Sequence, residues 1–191
     1  MPTIFYGDYD DSDEVRFKFE MKNEKSPLFI VGINPSNALA DPDGSQNALK
    51  EDQTMKKIIG FSKRNWNYDK TIIEFDGFVM LNVYAQIADK AKNLPPARDI
   101  KLHKKNLKKI AGYLHGKQHT PVLLAYGDSI TDKPYLKQCL RDIIAIFRIH
   151  DAHFFRLGEL TTEGNPRHPL MLSYDTSLIE IGDNELELIL K

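Results

Sequence analysis

Four short apolar runs constrain the fold of this chain most, because each has the length of a β-strand and stretches of helical length separate them. The runs occupy residues 28–33, 78–84, 121–126 and 153–157, and helices are predicted at about 49–64, 99–117 and 133–149. Continuous apolar runs are typical of strands that are buried on both faces of a parallel sheet. We therefore expect an α/β fold, a three-layer α/β/α sandwich around a mostly parallel four-stranded central sheet.

The two ends of the chain predict smaller elements attached to this sandwich. Residues 3–7 and 14–21 alternate around an acidic turn at 8–13, which indicates an N-terminal ribbon within 1–26 and a solvated loop. Short apolar stretches on either side of Gly182 predict a C-terminal hairpin within 174–191. With no repeat or linker, residues 1–191 are expected to form one domain.

Composition bounds the cellular setting and the partners. The formal net charge is -1, so contact with nucleic acid would need local basic surface rather than a global field. The single cysteine, Cys139, cannot form an internal disulfide, which favours a reducing compartment. No signal pattern and no apolar run of membrane-spanning length is found, so we expect a cytoplasmic, soluble protein without a membrane partner.

Polar loops follow all four predicted strands. They begin at Asn34-Pro35-Ser36, at Asn82, at Gly127-Asp128-Ser129 and at 165–169. The carboxyl ends of parallel strands open on one edge of a sheet, where ligands bind in α/β folds, so the loops are expected to converge on one pocket. An asparagine amide donates and accepts hydrogen bonds at once, which suits a nucleobase edge or a positioned water. A plain turn at 34–36 stays the alternative.

Other chemistries match the sequence less well. It has no phosphate-binding Gly-x-x-x-x-Gly-Lys loop, no Gly-x-Gly-x-x-Gly, no Gly-x-Ser-x-Gly and no cysteine or histidine cluster, so no metal or cofactor is expected. Acidic residues near Asn34 could hold a cation in a nucleotide hydrolase, or could simply favour the start of a helix. They are Asp41, Asp43, Glu51 and Asp52.

Four motifs in order carry a family resemblance across residues 28–173. They are Val-Gly-Ile-Asn-Pro at 31–35, Met-Leu-Asn-Val at 80–83, Leu-Leu-Ala-Tyr-Gly at 123–127 and Arg-His-Pro-Leu-Met-Leu-Ser at 167–173. Together they resemble the uracil-DNA glycosylase superfamily. The same residues resemble a bacterial and phage family marked by Asn-Pro-Ser early and Pro-Arg-His-Pro-Leu late.

The glycosylase resemblance implies a role for each matching residue. Asn34 would position the attacking water, Asn82 would read the edge of a flipped pyrimidine, and His168 would stabilise the departing base. Base flipping into a snug pocket would precede the reaction, which needs neither metal nor cofactor. The remaining residues implied are Gly32, Ile33 and Pro35 for binding the base, and Ser36, Arg167, Pro169, Leu170 and Ser173 for contacting DNA.

Two departures from the glycosylase pattern leave two functions open. Uracil-cleaving branches carry an acid and an aromatic residue after the first glycine, where this chain has Asn34 and Ser36. Leu170 stands where a serine usually follows His-Pro. The protein is therefore expected to be a monomeric DNA N-glycosylase, or a relative that binds uracil-containing or single-stranded DNA, or a nucleotide, without cleaving it. In either case, DNA-mimicking inhibitor proteins of uracil glycosylases are expected to bind the same surface.

Two further features stay ambiguous in the sequence. Tyr84, Phe61 and Trp66 are candidates for an aromatic residue that stacks on the base, and each could equally be a core residue. Lysines on the outer face of the helix at 99–117 could contact phosphates, or could form an ordinary solvated face.

Overall fold

The computed structural model describes residues 5–10, 14–21, 27–36, 53–62, 66–68, 71–73, 75 and 77–191. Within them lie nine strands and four α-helices. The strands are β1 (Phe5–Tyr9), β2 (Arg16–Met21), β3 (Leu28–Gly32), β4 (Trp66–Tyr68), β5 (Thr71–Ile73), β6 (Phe78–Asn82), β7 (Pro121–Leu124), β8 (His153–Leu157) and β9 (Leu178–Glu180). The helices are α1 (Gln53–Ser62), α2 (Ile100–Leu114), α3 (Leu136–Ile149) and α4 (Asp183–Ile189).

The prediction of a four-stranded, mostly parallel sheet is wrong, although the fold is α/β. The main sheet is mixed and has seven strands in the order β1-β2-β6-β3-β7-β8-β9. Strands β6, β3, β7 and β8 are parallel, whereas β2 pairs antiparallel with β6, and β9 antiparallel with β8. The terminal segments extend the sheet because the edges of its parallel centre offer unpaired backbone groups, which a neighbouring strand satisfies. Strands β4 and β5 form a separate two-stranded ribbon.

The prediction of a C-terminal hairpin is also wrong, because only the first half of that segment is a strand. After β9 the chain turns at Gly182 into α4, whose first turn carries Asp183 and Glu185. Negative charge is favourable at a helix N-terminus, so these acids start a helix rather than a hairpin turn. Leu186 and Ile189 then pack into the core.

The two faces of the sheet are covered by different helices. Helix α1 places Met55, Ile58 and Phe61 on one face, while α2 and α3 cover the other. Asp99 caps α2 as expected, its carboxylate accepting hydrogen bonds from the main-chain N–H groups of residues 101 and 102. The inner side of α2 differs in part from the predicted stripe of Ile100, Leu107, Ile110, Ala111 and Leu114. Ile100 and Ala111 are exposed, and Leu107 is half-buried. His103 and Asn106 are buried, although the stripe did not include them.

The path of the chain places a crevice at the carboxyl edge of the sheet. The connection after β3 passes through α1 on one face, and the connections after β6 and β7 pass through α2 and α3 on the opposite face. Ligands of open α/β sheets bind where connections change face in this way. In the described part of the chain, no helix has both the length and the apolar character needed to cross a membrane.

Candidate ligand-binding site

A cavity of about 500 Å³ lies at this carboxyl edge. Its lining includes Asn34, Asn82 and His168, the three residues expected to carry chemistry. Four other predicted residues also line it, namely Gly32, Ile33, Ser36 and Leu170. A volume of this size lies in the range of small-molecule sites in proteins. The structure therefore gathers loops from four strands around one cavity.

Four predicted residues do not line the cavity. Pro35 is buried, and its carbonyl accepts a hydrogen bond from the Ala88 N–H at 3.0 Å. Arg167 is exposed and donates from Nε to the Glu159 carbonyl at 2.9 Å. Pro169 is buried at the start of a 3₁₀ turn over 169–171, and the exposed Ser173 follows that turn.

The amide of Asn34 has a fixed orientation. Its Nδ2 lies 3.0 Å from the Pro35 carbonyl oxygen and 2.6 Å from the Ala88 carbonyl oxygen. Carbonyl oxygens only accept, so the NH₂ group must face both of them. Oδ1 consequently points the other way and is the atom of this amide that can accept a hydrogen bond from a molecule in the cavity.

Asn82 presents a buried amide with unused hydrogen-bonding capacity. The residue is 2% exposed, and its Oδ1 has no hydrogen-bond partner. Gly32 pairs with Asn82 across β3 and β6, and a Cβ on Gly32 would lie 3.1 Å from this Oδ1. The absence of a side chain at Gly32 thus leaves room for the Asn82 amide. A buried polar atom that lacks a partner costs free energy, which a ligand in the cavity could recover.

Gly127 allows the loop that carries His168 to approach the sheet. Its φ is +63°, a conformation that favours glycine, and its N–H donates to the Pro166 carbonyl at 2.9 Å. A Cβ at this position would lie 3.3 Å from that of His168. His168 Nδ1 accepts a hydrogen bond from the Leu170 N–H at 3.3 Å, so Nε2 carries the ring proton and is the donor nitrogen.

The polar side chain of Asn165 ties the same loop to the end of β7. Asn165 is 3% exposed, and its Nδ2 donates to the Asp128 carboxylate at 2.8 Å. Thr161 donates to the same carboxylate oxygen at 2.6 Å. These bonds hold the loops after β7 and β8 together and so position His168 at the cavity.

Sequence reasoning missed Arg16, which also lines the cavity. Regular alternation along β2 would place Arg16 and Phe19 on opposite faces of the ribbon. The register skips Phe17, however, since Asp8 of β1 pairs with Lys18 and Tyr9 pairs with Arg16. A β-bulge of this kind re-aims side chains, and here the Arg16 guanidinium lies 5.3 Å from the centre of the Phe19 ring. The alternating pattern carries no signal for the bulge.

Tyr126 is a second residue of the lining that was not assigned a role. It is 1% exposed, and its hydroxyl has no hydrogen-bond partner. Burial raises its pKa well above the ordinary value, so the hydroxyl stays neutral and can both donate and accept. The residue belongs to the Leu-Leu-Ala-Tyr-Gly motif, which was the available signal.

The candidate stacking residues lie elsewhere. Tyr84 is buried, and its hydroxyl accepts from the Asp99 N–H at 2.9 Å. Phe61 packs edge-on against Tyr174, with ring centres 5.5 Å apart. The side chain of Trp66 falls outside the described residues. Neither Tyr84 nor Phe61 lines the cavity, so both have the core role that was the alternative.

The lysine-rich face of α2 is separate from the cavity, since none of its lysines lines it. Lys109 instead binds Asp8 of β1 at 2.9 Å. Cys139 is fully buried, and burial raises its pKa to about 11, which leaves the thiol protonated and unsuited to act as a nucleophile.

The four acidic residues of the cation hypothesis, Asp41, Asp43, Glu51 and Asp52, lie outside the described residues. Among the residues that are described, no group of three or more histidines, cysteines and acids is placed to hold a metal ion.

Of three comparisons with known proteins, one gives a match. No curated protein and no solved structure matches the chain significantly. A family model described as "Protein of unknown function (DUF1643)" matches residues 16–170, which include β2 with Arg16 and every loop that lines the cavity. With most of its length matched, the chain belongs to the DUF1643 family.

Proposed function

We propose that the protein acts on DNA as a uracil-DNA-glycosylase-like enzyme that hydrolyses the bond between a base and its sugar. The observation that carries this proposal is the convergence of Asn34, Asn82 and His168, from three different loops, on one cavity. The resemblance of the surrounding motifs to the glycosylase superfamily supports it. The cavity has the volume to hold a flipped base.

Asn82 would recognise the base. A pyrimidine such as uracil offers an N–H donor beside a carbonyl acceptor, and an amide offers the complementary acceptor and donor. The buried Oδ1 would then gain its missing hydrogen bond. An isostere lacking that N–H would leave Oδ1 unpartnered, which gives the site its discrimination.

Asn34 would orient the attacking water through its free Oδ1. The water oxygen bonds to the sugar carbon C1′, the C1′–N bond breaks, and its electron pair moves to the base. The water proton leaves and the base is finally protonated, so base and sugar hydroxyl are the products. A neutral amide is no strong base, so its contribution is positioning. The Nε2–H of His168 would donate to the negative charge that develops on the base.

Exposed apolar residues beside His168 support contact with DNA. Leu170 and Met171 are 43% and 84% exposed, on the 3₁₀ turn that follows this histidine. Apolar side chains of this kind can wedge between bases and favour an extruded nucleotide. Arg167 and Ser173 are exposed on either side of this turn and would contact the DNA backbone, and the buried Pro169 would fix the start of the turn.

A second function, binding without cleavage, is favoured by Asn34 itself. Uracil-cleaving branches carry an acid at this position, and the neutral amide of Asn34 cannot act as a strong base. Two acids, Asp89 and Asp132, also line the cavity. A catalytically reduced relative would still use Asn82 and the turn at 169–171 to bind uracil-containing or single-stranded DNA, or a nucleotide. In either form we propose that the protein is a cytoplasmic monomer. We also propose that DNA-mimicking inhibitor proteins bind it at this surface.

The test is base release from labelled oligonucleotides that carry uracil, G·U, G·T, hypoxanthine or no lesion. Purified protein is incubated with each, and the sample is divided between alkaline cleavage and a gel shift at two salt concentrations. We expect cleavage of a lesion strand, lost in Asn34→Ala/His168→Ala. The matched control is Asn184→Ala/His115→Ala, which changes exposed residues outside the cavity.

Cleavage that survives the Asn34/His168 double substitution would refute the assigned roles. Salt-dependent binding without cleavage would establish the second function. If neither occurs on any strand, both forms of the function on DNA are wrong, and free nucleotides are then tested as ligands.

A further inference from the structure

Arg16 carries a buried positive charge that the described part of the chain does not neutralise. The residue is 3% exposed, and its Nε and Nη1 are buried without a hydrogen-bond partner. No carboxylate among the described residues forms an ion pair with it. Its nearest compensation is the face of the Phe19 ring, 5.3 Å away.

This arrangement is costly for the empty protein. A guanidinium remains protonated at any physiological pH, so it cannot escape burial by losing its charge. Buried charges in proteins are therefore paired or hydrogen-bonded as a rule. Arg16 lines the cavity, and a molecule bound there is the natural source of the missing partner.

We propose that Arg16 is an anion-binding residue and that the ligand of this cavity carries an oxyanion, a phosphate or a carboxylate. The planar fork of Nε and Nη groups matches two oxygens of either group. The register of β1 and β2 skips Phe17, the neighbour of Arg16, and a β-bulge of this kind re-aims adjacent side chains. Lys90 and Lys92 also line the cavity, so with Arg16 its lining carries three positive side chains against the two carboxylates of Asp89 and Asp132.

This inference deepens the proposed function and rests on it for the pyrimidine part of the ligand. The anionic group is a separate part of the ligand. The base that Asn82 would recognise is neutral, so Arg16 would bind a charged group next to that base. On DNA the charge is the phosphate next to the extruded base. On a free ligand it is a nucleotide phosphate or a carboxylate.

The test compares charged and neutral probes by calorimetry: dUMP against deoxyuridine, orotate against uracil, and inorganic phosphate alone. We expect at least one charged probe to bind about ten-fold or more tightly than its neutral counterpart, a difference of about 1.4 kcal/mol. A preference for dUMP identifies phosphate as the anion, and a preference for orotate identifies carboxylate. Equal affinity within both pairs, together with no binding of inorganic phosphate, would overturn the proposal.

Arg16→Met then removes the charge and keeps an unbranched apolar chain, and it is expected to abolish the preference for the charged probe. Arg148→Met is the matched control, since Arg148 is exposed, lies outside the cavity and pairs with Glu187. If Arg16→Met does not fold, Arg16→Lys keeps the charge without the fork and should weaken the preference. A preference unchanged in the folded Arg16 variant would overturn the proposal.

Loss of the proposed function and loss of this inference give different results. Base release without a preference for charged probes would support the glycosylase and reject the anion site. Anion binding that depends on Arg16, with no base release and no binding of DNA, would support the anion site and reject the proposed function.

Discussion

Asn106 of α2 donates a hydrogen bond from its side-chain amide to the main-chain carbonyl of Asn82, at 3.1 Å. The donor residue is 1% exposed and lies on the face of the sheet opposite α1. The bond joins a helix to the last residue of β6, where the chain leaves the sheet for the cavity. It therefore helps to hold the Asn82 amide in place.

We expect Asn106→Ala to lower the free energy of unfolding by about 1–2 kcal/mol, because the Asn82 carbonyl loses a buried donor. The loss is limited because Oδ1 of Asn106 is itself without a partner. Urea denaturation measures the change, and Lys104→Ala on the exposed side of the same helix should change stability by less than about 0.5 kcal/mol. Equal effects of the two substitutions would show that the bond contributes nothing.

Gly32 offers a test of the space beside Asn82. In Gly32→Ala the new Cβ would lie 2.7 Å from the Met80 Cε and 3.1 Å from the Asn82 Oδ1. The end of the methionine side chain can move, so we expect the free energy of unfolding to fall by about 1 kcal/mol. The free energy of binding a uracil-containing oligonucleotide should fall by more than this. Gel shifts and urea denaturation measure the two effects.

Gly112→Ala is the control for this substitution. Gly112 lies in α2 with no atom within 4 Å of the added Cβ, so alanine should stabilise the protein by about 1 kcal/mol and leave binding unchanged. Unchanged oligonucleotide binding by Gly32→Ala would contradict the view that the Asn82 amide needs this space.

The apolar runs correctly predicted the positions of the central strands. A strand that is buried on both faces consists of consecutive apolar residues, and such a run is visible in a short stretch of sequence. The convergence of Asn34, Asn82 and His168 follows from the parallel order of those strands. The edges were not predictable in the same way: β2 and β9 pair antiparallel with β6 and β8, and no local sequence pattern indicates those pairings. Arg16 was missed because a one-residue bulge interrupts the alternation along β2, and the sequence carries no signal for that bulge.

Two buried tyrosines with different hydroxyl environments give a matched pair. The Tyr126 hydroxyl has no partner, whereas the Tyr84 hydroxyl accepts from the Asp99 N–H. We expect Tyr126→Phe to leave stability unchanged or slightly increased, and Tyr84→Phe to cost about 1 kcal/mol. Urea denaturation of both variants decides, and a larger loss in Tyr126→Phe would show that its hydroxyl has a structural partner.

The same Tyr126→Phe variant should bind ligand less well if the hydroxyl completes the site. Oligonucleotide gel shifts at low salt measure this effect. Normal binding by this variant would remove Tyr126 from the site while leaving Asn34, Asn82 and His168 in it.

Asp8 predicts how stability depends on pH. It was expected in a solvated acidic loop, but its carboxylate accepts hydrogen bonds from the Tyr113 hydroxyl and from Lys109 Nζ. Burial raises the pKa of Asp8, and the hydrogen bonds from Tyr113 and Lys109 together with the nearby lysine charges outweigh that effect, so the pKa lies below its ordinary value of 3.8. Residues 11–13 of the expected loop lie outside the described residues.

A carboxyl whose pKa is lower in the folded than in the unfolded protein stabilises the fold above the unfolded value, here about 3.8. That contribution is lost as the pH falls through the lower, folded pKa. We therefore expect Asp8→Asn to be less stable than the unaltered protein at pH 7, and the difference to shrink below pH 4. Tyr113→Phe, which removes one of the bonds, should reduce the same pH dependence without abolishing it. Thermal unfolding between pH 2.5 and 7 measures both effects, and a stability difference for Asp8→Asn that stays constant over this range would show that the ionised carboxylate does not stabilise the contact between β1 and α2.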